Sequence, residues 1–352
     1  LAPAEVATLV ERANGWITAV LLMARTPELA TQTFGHASEH QVFAFLAEQG
    51  FDRLDPEIRS FLFDSALLDD LEAARCDALL ERTDSEWMLD RLLRQHLFIS
   101  PIDGGVLRYH PLFREFLVKR YRREDRQRLR RSALRIAEAY ATRGLWAQAF
   151  DLCLLAEDTA AAQSILVRGG DMLFHQGQIA TLDQCFAQLV LAELPALLLC
   201  LKGRLYLSKG ATEEAAAMAD LAHARMQPGE EVRVRLFQAD IALKRGEYRN
   251  AIGLAETALQ YDPPDDQRAT ALRFVANCHA RVGECEQAVD LLSEALRIQR
   301  QRGDLYHLAL ISHDMGILHE QAGQLRGAER CYQQAEGYWT TIGNVGARAL
   351  SR

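Results

Sequence analysis

The sequence predicts an all-α protein in which a compact winged helix with a small β-hairpin precedes a superhelix of two-helix repeats. Glycines recur through the second part of the chain at positions 144, 177, 210, 246, 283 and 323. They are 33, 33, 36, 37 and 40 residues apart, an interval typical of repeats that consist of two helices. A single stretch around Asp103-Gly104-Gly105 changes from helical to alternating apolar periodicity. That change predicts one hairpin.

Small residues at fixed distances from these glycines define the repeat. Around Gly246, Gly283 and Gly323 an alanine stands five residues on, another stands twelve on, and a small residue stands seven back. These residues are Ala251, Ala288 and Ala328, then Ala258, Ala295 and Ala335, then Ala239, Ala276 and Gly316. Gly144 and Gly210 fit the same pattern, whereas the repeat of Gly177 is degenerate because Leu182 and Leu189 replace the alanines. Glycine permits the left-handed backbone of a turn between helices, and small residues allow helices to approach closely.

This pattern resembles a tetratricopeptide array of about six repeats, which implies a right-handed α-superhelix with a concave groove. Pro263 falls where that family often has a helix-ending proline. An alanine-rich helical bundle whose small residues align by chance is the alternative. It is the weaker interpretation, because five repeats match at all three positions.

The first part of the chain is predicted to hold two further regions. Residues 1–39 form a helical segment followed by a loop with Pro27 and Gly35. Residues 40–122 have the pattern of a winged helix, with helices over 40–50, from Pro56 after Asp55 as N-cap, over 71–82 and over 83–95. Thr83 and Glu86 have the spacing of a capping box. The hairpin is expected over 97–102 and 106–109, and Pro111 is expected to begin the closing helix.

Composition excludes several classes of protein. No apolar run approaches the length of a membrane span, and no signal peptide begins the chain. The seven cysteines are scattered without a CxxC pair, which favours reduced thiols and a cytoplasmic location. A net charge of -8 argues against general nucleic-acid binding.

One stretch, residues 119–135, carries nine basic and two acidic side chains. It could bind phosphate, or it could be a solvated connector helix with basic residues on its exposed faces. The second interpretation is favoured, because no aromatic or base-reading polar residues alternate with the charges.

Four segments resemble one family, the MalT-like, LuxR-type transcription regulators of the STAND class of signal-transducing ATPases. They are VERANGWITAVLLMA, FLFDSALLDDLEAARCDALL, LLRQHLFISPIDGGVLRYHPLFREFL and GLWAQAFDLCLLAED. The resemblance is detailed over residues 1–200, and it departs at Ile17, where relatives usually have proline. In that family a P-loop ATPase domain is followed by a helical domain, a winged helix, a tetratricopeptide-like sensor and a DNA-binding helix-turn-helix.

The resemblance implies a helical tail of an ATPase module over 1–39, a winged helix over 40–122 and a repeat sensor domain over 123–352. No G-x-x-x-x-G-K-[ST] motif and no DNA-reading module after the repeats occur in the chain. We therefore expect a fragment of a longer regulator. The fragment itself would not be an enzyme and would hold no cofactor, while ADP or ATP is expected in the full-length protein. DNA would be contacted only through the missing C-terminal domain.

The winged helix offers one candidate nucleotide contact, His110, with Arg108 as a weaker neighbour. His110 stands at the start of the closing helix, where free amide groups attract anions. In the STAND class the matching histidine touches the β-phosphate of ADP and holds the resting form, which makes the protein's own ATPase domain the implied partner. The alternative is that His110 only caps its helix.

The usual groove positions of tetratricopeptide arrays give a candidate ligand site. They fall here on Arg204, Arg233, Asp240, Arg273, Asn277, His313 and Glu320. Such a mixed-charge groove suits a small polar inducer or a peptide, although a merely solvated helix face fits the same residues. His307, His313 and His319 are six apart, so they do not share a face as metal ligands would.

Three functions remain open from the sequence. The favoured one is the ligand-sensing and autoinhibitory region of an ATP-dependent transcription regulator. The alternative is a standalone tetratricopeptide scaffold that binds a partner protein or peptide. Direct DNA binding by the helix over 83–95 is expected not to occur, because acidic and basic side chains mix on its surface.

Overall fold

The computed structural model describes residues 51–52, 54–94, 99–102 and 106–344. Within them sixteen α-helices and one two-stranded sheet are found, which confirms the predicted all-α class with a small hairpin. The chain divides into two compact units, one of residues 1–143 with 151–158 and one of 144–150 with 159–352. The predicted helices over 1–39 and 40–50 and the hairpin turn at 103–105 lie outside the described residues.

Five helices and the sheet lie among the described residues of the first unit. They are α1 (Pro56–Ser65), α2 (Ala73–Leu80), α3 (Ser85–Arg94), β1 (Ile99–Pro101), β2 (Leu107–Tyr109), α4 (Pro111–Glu124) and α5 (Arg126–Ala141). Their apolar faces meet in one core, in which Phe61, Leu62, Leu92 and Leu117 are completely buried. Burial of such side chains is the main stabilising contribution to a small domain of this kind.

The hairpin is antiparallel, and Ile99 pairs with Tyr109. Leu107 also bridges Leu71, whose amide donates to the Leu107 carbonyl at 2.8 Å. The Tyr109 hydroxyl shares a 2.7 Å hydrogen bond with the hydroxyl of Ser65 at the end of α1. These contacts attach the hairpin to the end of α1 and to the segment that precedes α2.

Two details of the predicted helix starts are different in the structure. The capping box at Thr83 is wrong, because α3 begins at Ser85 and the first carbonyl that accepts a helical hydrogen bond is that of Asp84. The Ser85 amide donates instead to the carboxylate of Asp77 at 3.0 Å. Asp55 does precede α1, but its side chain pairs with Arg91 instead of capping the helix.

The predicted basic connector consists of two helices, because the chain turns at Asp125 between α4 and α5. The Asp125 carboxylate accepts a hydrogen bond from the Arg128 amide at 2.8 Å and so caps α5. Most basic side chains of residues 119–135 are engaged by carboxylates of the same unit. The pairs are Lys119 with Glu115, Arg120 with Asp52 and Glu124, Arg122 and Arg126 with Glu157, Arg128 with Asp64, and Arg130 with Asp158.

From α5 onward the helices form six consecutive pairs. The further helices are α6 (Trp146–Leu155), α7 (Thr159–His175), α8 (Ile179–Ala187), α9 (Ala196–Ser208), α10 (Thr212–Arg225), α11 (Glu231–Lys244), α12 (Tyr248–Leu259), α13 (Asp265–Val282), α14 (Cys285–Arg302), α15 (Leu305–Gln321) and α16 (Leu325–Thr341). All six repeat glycines lie between the helices of a pair with φ between 72° and 91°. This confirms the predicted role of the glycines, including that of Gly177 in the degenerate repeat.

The small residues seven before the glycines lie where helices touch. A Cβ on Gly203 of α9 would lie 2.1 Å from Cζ of Phe237 in α11, and one on Gly316 would lie 2.5 Å from the ring of Tyr332. Ala239 and Ala276 are fully buried at the same place in their repeats. The first helices α9 and α11 of successive repeats therefore approach closely at Gly203, whereas Gly316 lets α15 approach the second helix of its own repeat. None of the described helices combines the length and apolar character that a bilayer crossing requires.

Replacement of Gly203 by alanine should destabilise the repeat region by about 1–3 kcal/mol, because the added methyl group displaces the buried Phe237 ring. Gly253 is the matched control: it also lies within a helix, and a Cβ there meets nothing within 4 Å. Gly253→Ala should stabilise by about 0.5–1 kcal/mol through helix propensity alone. Urea unfolding of both variants measures the difference, and equal changes would contradict the close approach.

Candidate ligand cavity and winged-helix site

The first helices of five repeats, α7, α9, α11, α13 and α15, line a cavity of about 1160 Å³ in the second unit. The second helices of the pairs contribute few of its residues. The cavity wall carries charged side chains on every one of the five helices and aromatic side chains on all of them except α9. Those used below are Asp171, Phe174, His175, Arg204, Arg233, Asp240, Arg273, Asn277, Tyr306, His307, His313 and Asp314.

Two arginines bind the carboxylate of Asp171 from two different helices. Arg204 of α9 donates to Oδ1 at 2.5 Å, and Arg233 of α11 donates to Oδ2 at 2.6 Å. Burial disfavours the charged carboxylate, but the two guanidinium groups outweigh it and hold the pKa of Asp171 below its usual value. This ion triad connects three repeats on the cavity wall.

A second carboxylate, Asp314 of α15, is bound in the same way by α13. Its Oδ2 accepts from Arg273 at 3.0 Å and from Asn277 at 2.9 Å. Both side chains of the ion pair are largely buried, with exposed fractions of 15% for Arg273 and 12% for Asp314. Burial opposes ionisation here as well, but Arg273 outweighs burial and lowers the pKa of the Asp314 carboxyl group below its ordinary value.

Asp240 of α11 differs from these two carboxylates. Among the described residues it has no ion pair or hydrogen bond. It lies within electrostatic reach of Arg204 and of the Tyr306 hydroxyl. Asp240 is therefore a partly buried acceptor that a ligand in the cavity can use.

An aromatic cluster lies where α7 ends and α15 begins. The rings of His175 and Tyr306 stack with centroids 3.7 Å apart and an angle of 11° between their planes. His307 Nδ1 is 2.8 Å from Oδ2 of Asp304. Burial acts to raise the pKa of Asp304, but the contact with His307 outweighs burial and lowers that pKa to about 2. Burial, together with Arg204 and His307, lowers the pKa of His175 to about 3. His175 is accordingly neutral near pH 7.

The structure brings six of the seven predicted groove residues together on the cavity wall. These are Arg204, Arg233, Asp240, Arg273, Asn277 and His313. Glu320 does not line the cavity; it is exposed and accepts a 2.8 Å hydrogen bond from the Tyr332 hydroxyl. The contact of these seven predicted groove residues with a ligand stays a prediction.

Four cavity residues were not found from the sequence: Asp171, His175, Tyr306 and Asp314. Asp171 had a usable signal, since it stands six residues before its repeat glycine, as Arg204, Asp240 and Asn277 do. The degenerate pattern after Gly177 obscured that equivalence. The other three occupy positions that carry no shared residue type among the repeats, so spacing alone does not identify them.

In the first unit His110 is the N-cap residue of α4, as expected. Its carbonyl accepts from the amides of Phe113 and Arg114 at 2.9 and 3.0 Å, and its side chain is half-buried and does not cap the helix. Arg108 on β2 is exposed and donates two hydrogen bonds to Asp70, the shorter of 2.6 Å. The nucleotide contact predicted for both residues stays a prediction.

Known protein families match a segment in each of the two units. Residues 47–129 match the MalT winged helix domain, and residues 267–337 match the tetratricopeptide repeat. The HTH-type transcriptional regulator MalT of Vibrio cholerae is 30% identical over 320 residues, which are 84% of this chain and 35% of that protein. MalT of Yersinia pestis is 28% identical over 323 residues, 86% of this chain and 36% of that protein.

A solved structure with a similar fold matches nearly the whole chain. It is a Signal Transduction ATPase with Numerous Domains (STAND) protein with a tetratricopeptide repeat sensor from Pyrococcus horikoshii. The TM-score is 0.67 at 15% identity, over 99% of this chain and 55% of that one, a likeness that shows the fold alone. The resemblance to MalT-like regulators is confirmed for the winged helix and the repeats. The chain spans about a third of the length of the MalT proteins it matches.

The neutral state of His175 predicts a specific pH dependence. Since its pKa in the folded chain lies below the unfolded value, the unfolded chain binds more protons, and stability falls as pH decreases below about 6.5. Between about pH 7 and about pH 5 the wild-type chain should lose roughly 1–2 kcal/mol through this group.

His175→Phe keeps the stacked ring and removes the titrating group, so the same pH change should cost that variant less. Urea unfolding at both pH values measures the two losses. His223→Phe, on α10 and outside the cavity wall, serves as the control and should behave as wild type. Equal losses in all three proteins would contradict a neutral buried His175.

Proposed function

We propose that the chain is the ligand-sensing region of a MalT-like regulator and that the inducer binds in the cavity of the repeat unit. The observation that carries the proposal is the cavity itself, about 1160 Å³, with polar groups supplied by five successive repeats. Its size is slightly above the usual range for small-molecule sites, about 300–1,000 Å³. A ligand there contacts several repeats at once, so its binding energy depends on how the repeats are arranged.

The charges of the wall indicate the chemistry of the ligand. Eight arginine or lysine side chains and five aspartates line the cavity, so the wall has both donors and acceptors and an excess of positive charge. A cationic ligand buried there would leave part of its charge uncompensated. A small polar molecule with hydroxyl, amide or acidic groups fits best, and a short peptide is the larger member of that class.

Sensing requires that the ligand prefer one conformation over another, since a ligand that binds both equally shifts nothing. We propose that the resting regulator is held by the winged helix against an ADP-bound ATPase domain and that the inducer favours the released form. His110 would donate to the nucleotide phosphate, supported by the amide groups at the start of α4. Arg108 could join only by leaving Asp70, which makes His110 the principal contact.

Thermal unfolding of the chain against a library of metabolites, sugars and short peptides tests the ligand site. A ligand at about 100 times its dissociation constant should add about 2.7 kcal/mol and raise the melting temperature. Asp240→Asn should reduce or abolish that shift because it removes the carboxylate without breaking an ion pair. Asp220→Asn on α10, outside the cavity wall, should leave the shift unchanged.

If both variants keep the shift in melting temperature, the ligand binds elsewhere. Binding of a partner protein or of peptides, with no small-molecule shift, would favour the alternative scaffold function.

The nucleotide contact is tested in a protein that carries both this chain and its ATPase domain. His110→Ala should raise the rate of ADP dissociation by about tenfold or more, the effect of losing one hydrogen bond to a charged group. Retention of ADP in that variant at the wild-type rate would exclude His110 from the contact. His223→Ala, on the outer helix α10, controls for general loss of stability.

A further inference from the structure

The second compact unit, which holds the repeats, closes on itself because its first complete repeat touches its last. His175, at the end of α7, stacks on Tyr306 at the start of α15 with centroids 3.7 Å apart. Asn344, after α16, donates a 2.8 Å hydrogen bond from Nδ2 to the His175 carbonyl across 169 residues of sequence. These three residues form what we term the seam. Five repeats thus enclose the cavity as a ring.

The seam is made by a few side chains. Helix α7 packs closely along its neighbours α8 and α9, whereas its described contacts to α15 and the residue after α16 are those of His175 with the rings of Tyr306 and His307 and one hydrogen bond. Successive repeats, by contrast, share buried apolar clusters such as Val232, Leu236, Ala271 and Phe274. Separation at the seam therefore exposes little apolar surface, and the ring opens there more easily than between successive repeats.

Arg204 belongs both to the cavity wall and to the surroundings of the seam. Its NH2 group lies 3.5 Å from Nε2 of His175, and its guanidinium lies next to the Tyr306 hydroxyl. The same guanidinium covers the ring of Phe174 at 4.4 Å. Through Arg204, a change inside the cavity reaches both stacked rings.

We propose that Arg204 is the residue through which a ligand acts on the ring: an acceptor group of the ligand draws Arg204 away from His175 and Tyr306, and the ring opens at the seam. The role of the ligand in this proposal rests on the function proposed above, whereas the seam and its control by Arg204 stand without it. The ligand group is a carboxylate, phosphate or hydroxyl oxygen, since a guanidinium only donates.

The ion triad makes this movement feasible. Asp171 holds Arg204 through Oδ1 and Arg233 through Oδ2. When Arg204 turns towards a ligand, Arg233 still neutralises the carboxylate, so no buried charge is left without a partner. Tyr306 then loses the cation beside its buried hydroxyl, and the stack loses one of its supports.

Separation at the seam is tested by a pair of equivalent glycines. A Cβ on Gly177 would lie 2.9 Å from Oδ1 of Asn344, whereas one on Gly210 meets nothing within 4 Å. Their φ values are 73° and 77°, and asparagine tolerates this backbone conformation. Gly177→Asn therefore forces Asn344 aside, and Gly210→Asn introduces the same residue with the same backbone cost and no contact at the seam.

Hydrogen exchange of the whole chain, followed by mass spectrometry, reports opening at residues 173–178 and 340–344, with the equivalent turn at 206–212 as internal reference. Gly177→Asn should raise exchange at both seam segments by roughly fivefold or more over the reference, as expected when a local tertiary contact is lost. Gly210→Asn should leave both seam segments unchanged. Equal seam exchange in the two variants would show that the seam does not separate.

Control by Arg204 is tested by Arg204→Met and, independently, by Tyr306→Phe, which keeps the stacked ring and removes the hydroxyl next to Arg204. Each should raise seam exchange by roughly threefold or more, and the double variant should add little to the larger single effect, because both remove the same contact. Wild-type exchange in Tyr306→Phe, or full additivity in the double variant, would overturn the role of Arg204. Since these measurements use no ligand, their failure is distinct from a failure to find an inducer.

Discussion

The architecture of the repeat unit depends on how closely the first helices of its repeats can approach. A small residue seven positions before each repeat glycine removes the side chain that would hold neighbouring helices apart, and large rings such as those of Phe237 and Tyr332 fill the space left by Gly203 and Gly316. A helix–helix distance fixed in this way repeats from one pair to the next. The curvature that results turns the first helices inward, and the cavity lies on the side they enclose.

The same constraint decides what the cavity wall can carry. Apolar and small residues on the helix faces between repeats supply the stabilising burial, so polar residues on the inner faces are not needed for the core. Charges can then be placed there, and a buried charge is stabilised where it has a partner. Asp171 and Asp314 have such partners in arginines of other repeats, so these ion pairs connect repeats as well as line the site.

The charges of the winged helix are arranged differently from those of the cavity wall. Its basic residues after α4 are largely matched by carboxylates within their own unit, and α3 mixes acidic with basic side chains. Such a surface attracts phosphate backbones weakly. Residues 47–129 match the MalT winged helix domain, and under the function proposed above this module would contact another domain of the regulator and not DNA.

The sequence by itself determined the repeat. Because a turn with positive φ and a close helix contact each restrict one position to glycine or a small residue, both left a readable period, and the positions of Gly246, Ala239 and Ala251 in the structure follow from it. It also placed Arg204, Arg233 and Arg273 on the inner faces. The start of α3 was not readable, since the acceptor for the Ser85 amide comes from Asp77, eight residues earlier.

Only the tertiary structure decided which charges pair and where the ring closes. Asp171 meets Arg233 across 62 residues, and Asn344 meets His175 across 169. Neither contact has a fixed spacing, because the distance between non-adjacent repeats depends on the curvature summed over all repeats between them. A periodic pattern records the contacts of each repeat with its neighbours; the curvature is a property of the whole array and becomes visible only when the array is folded.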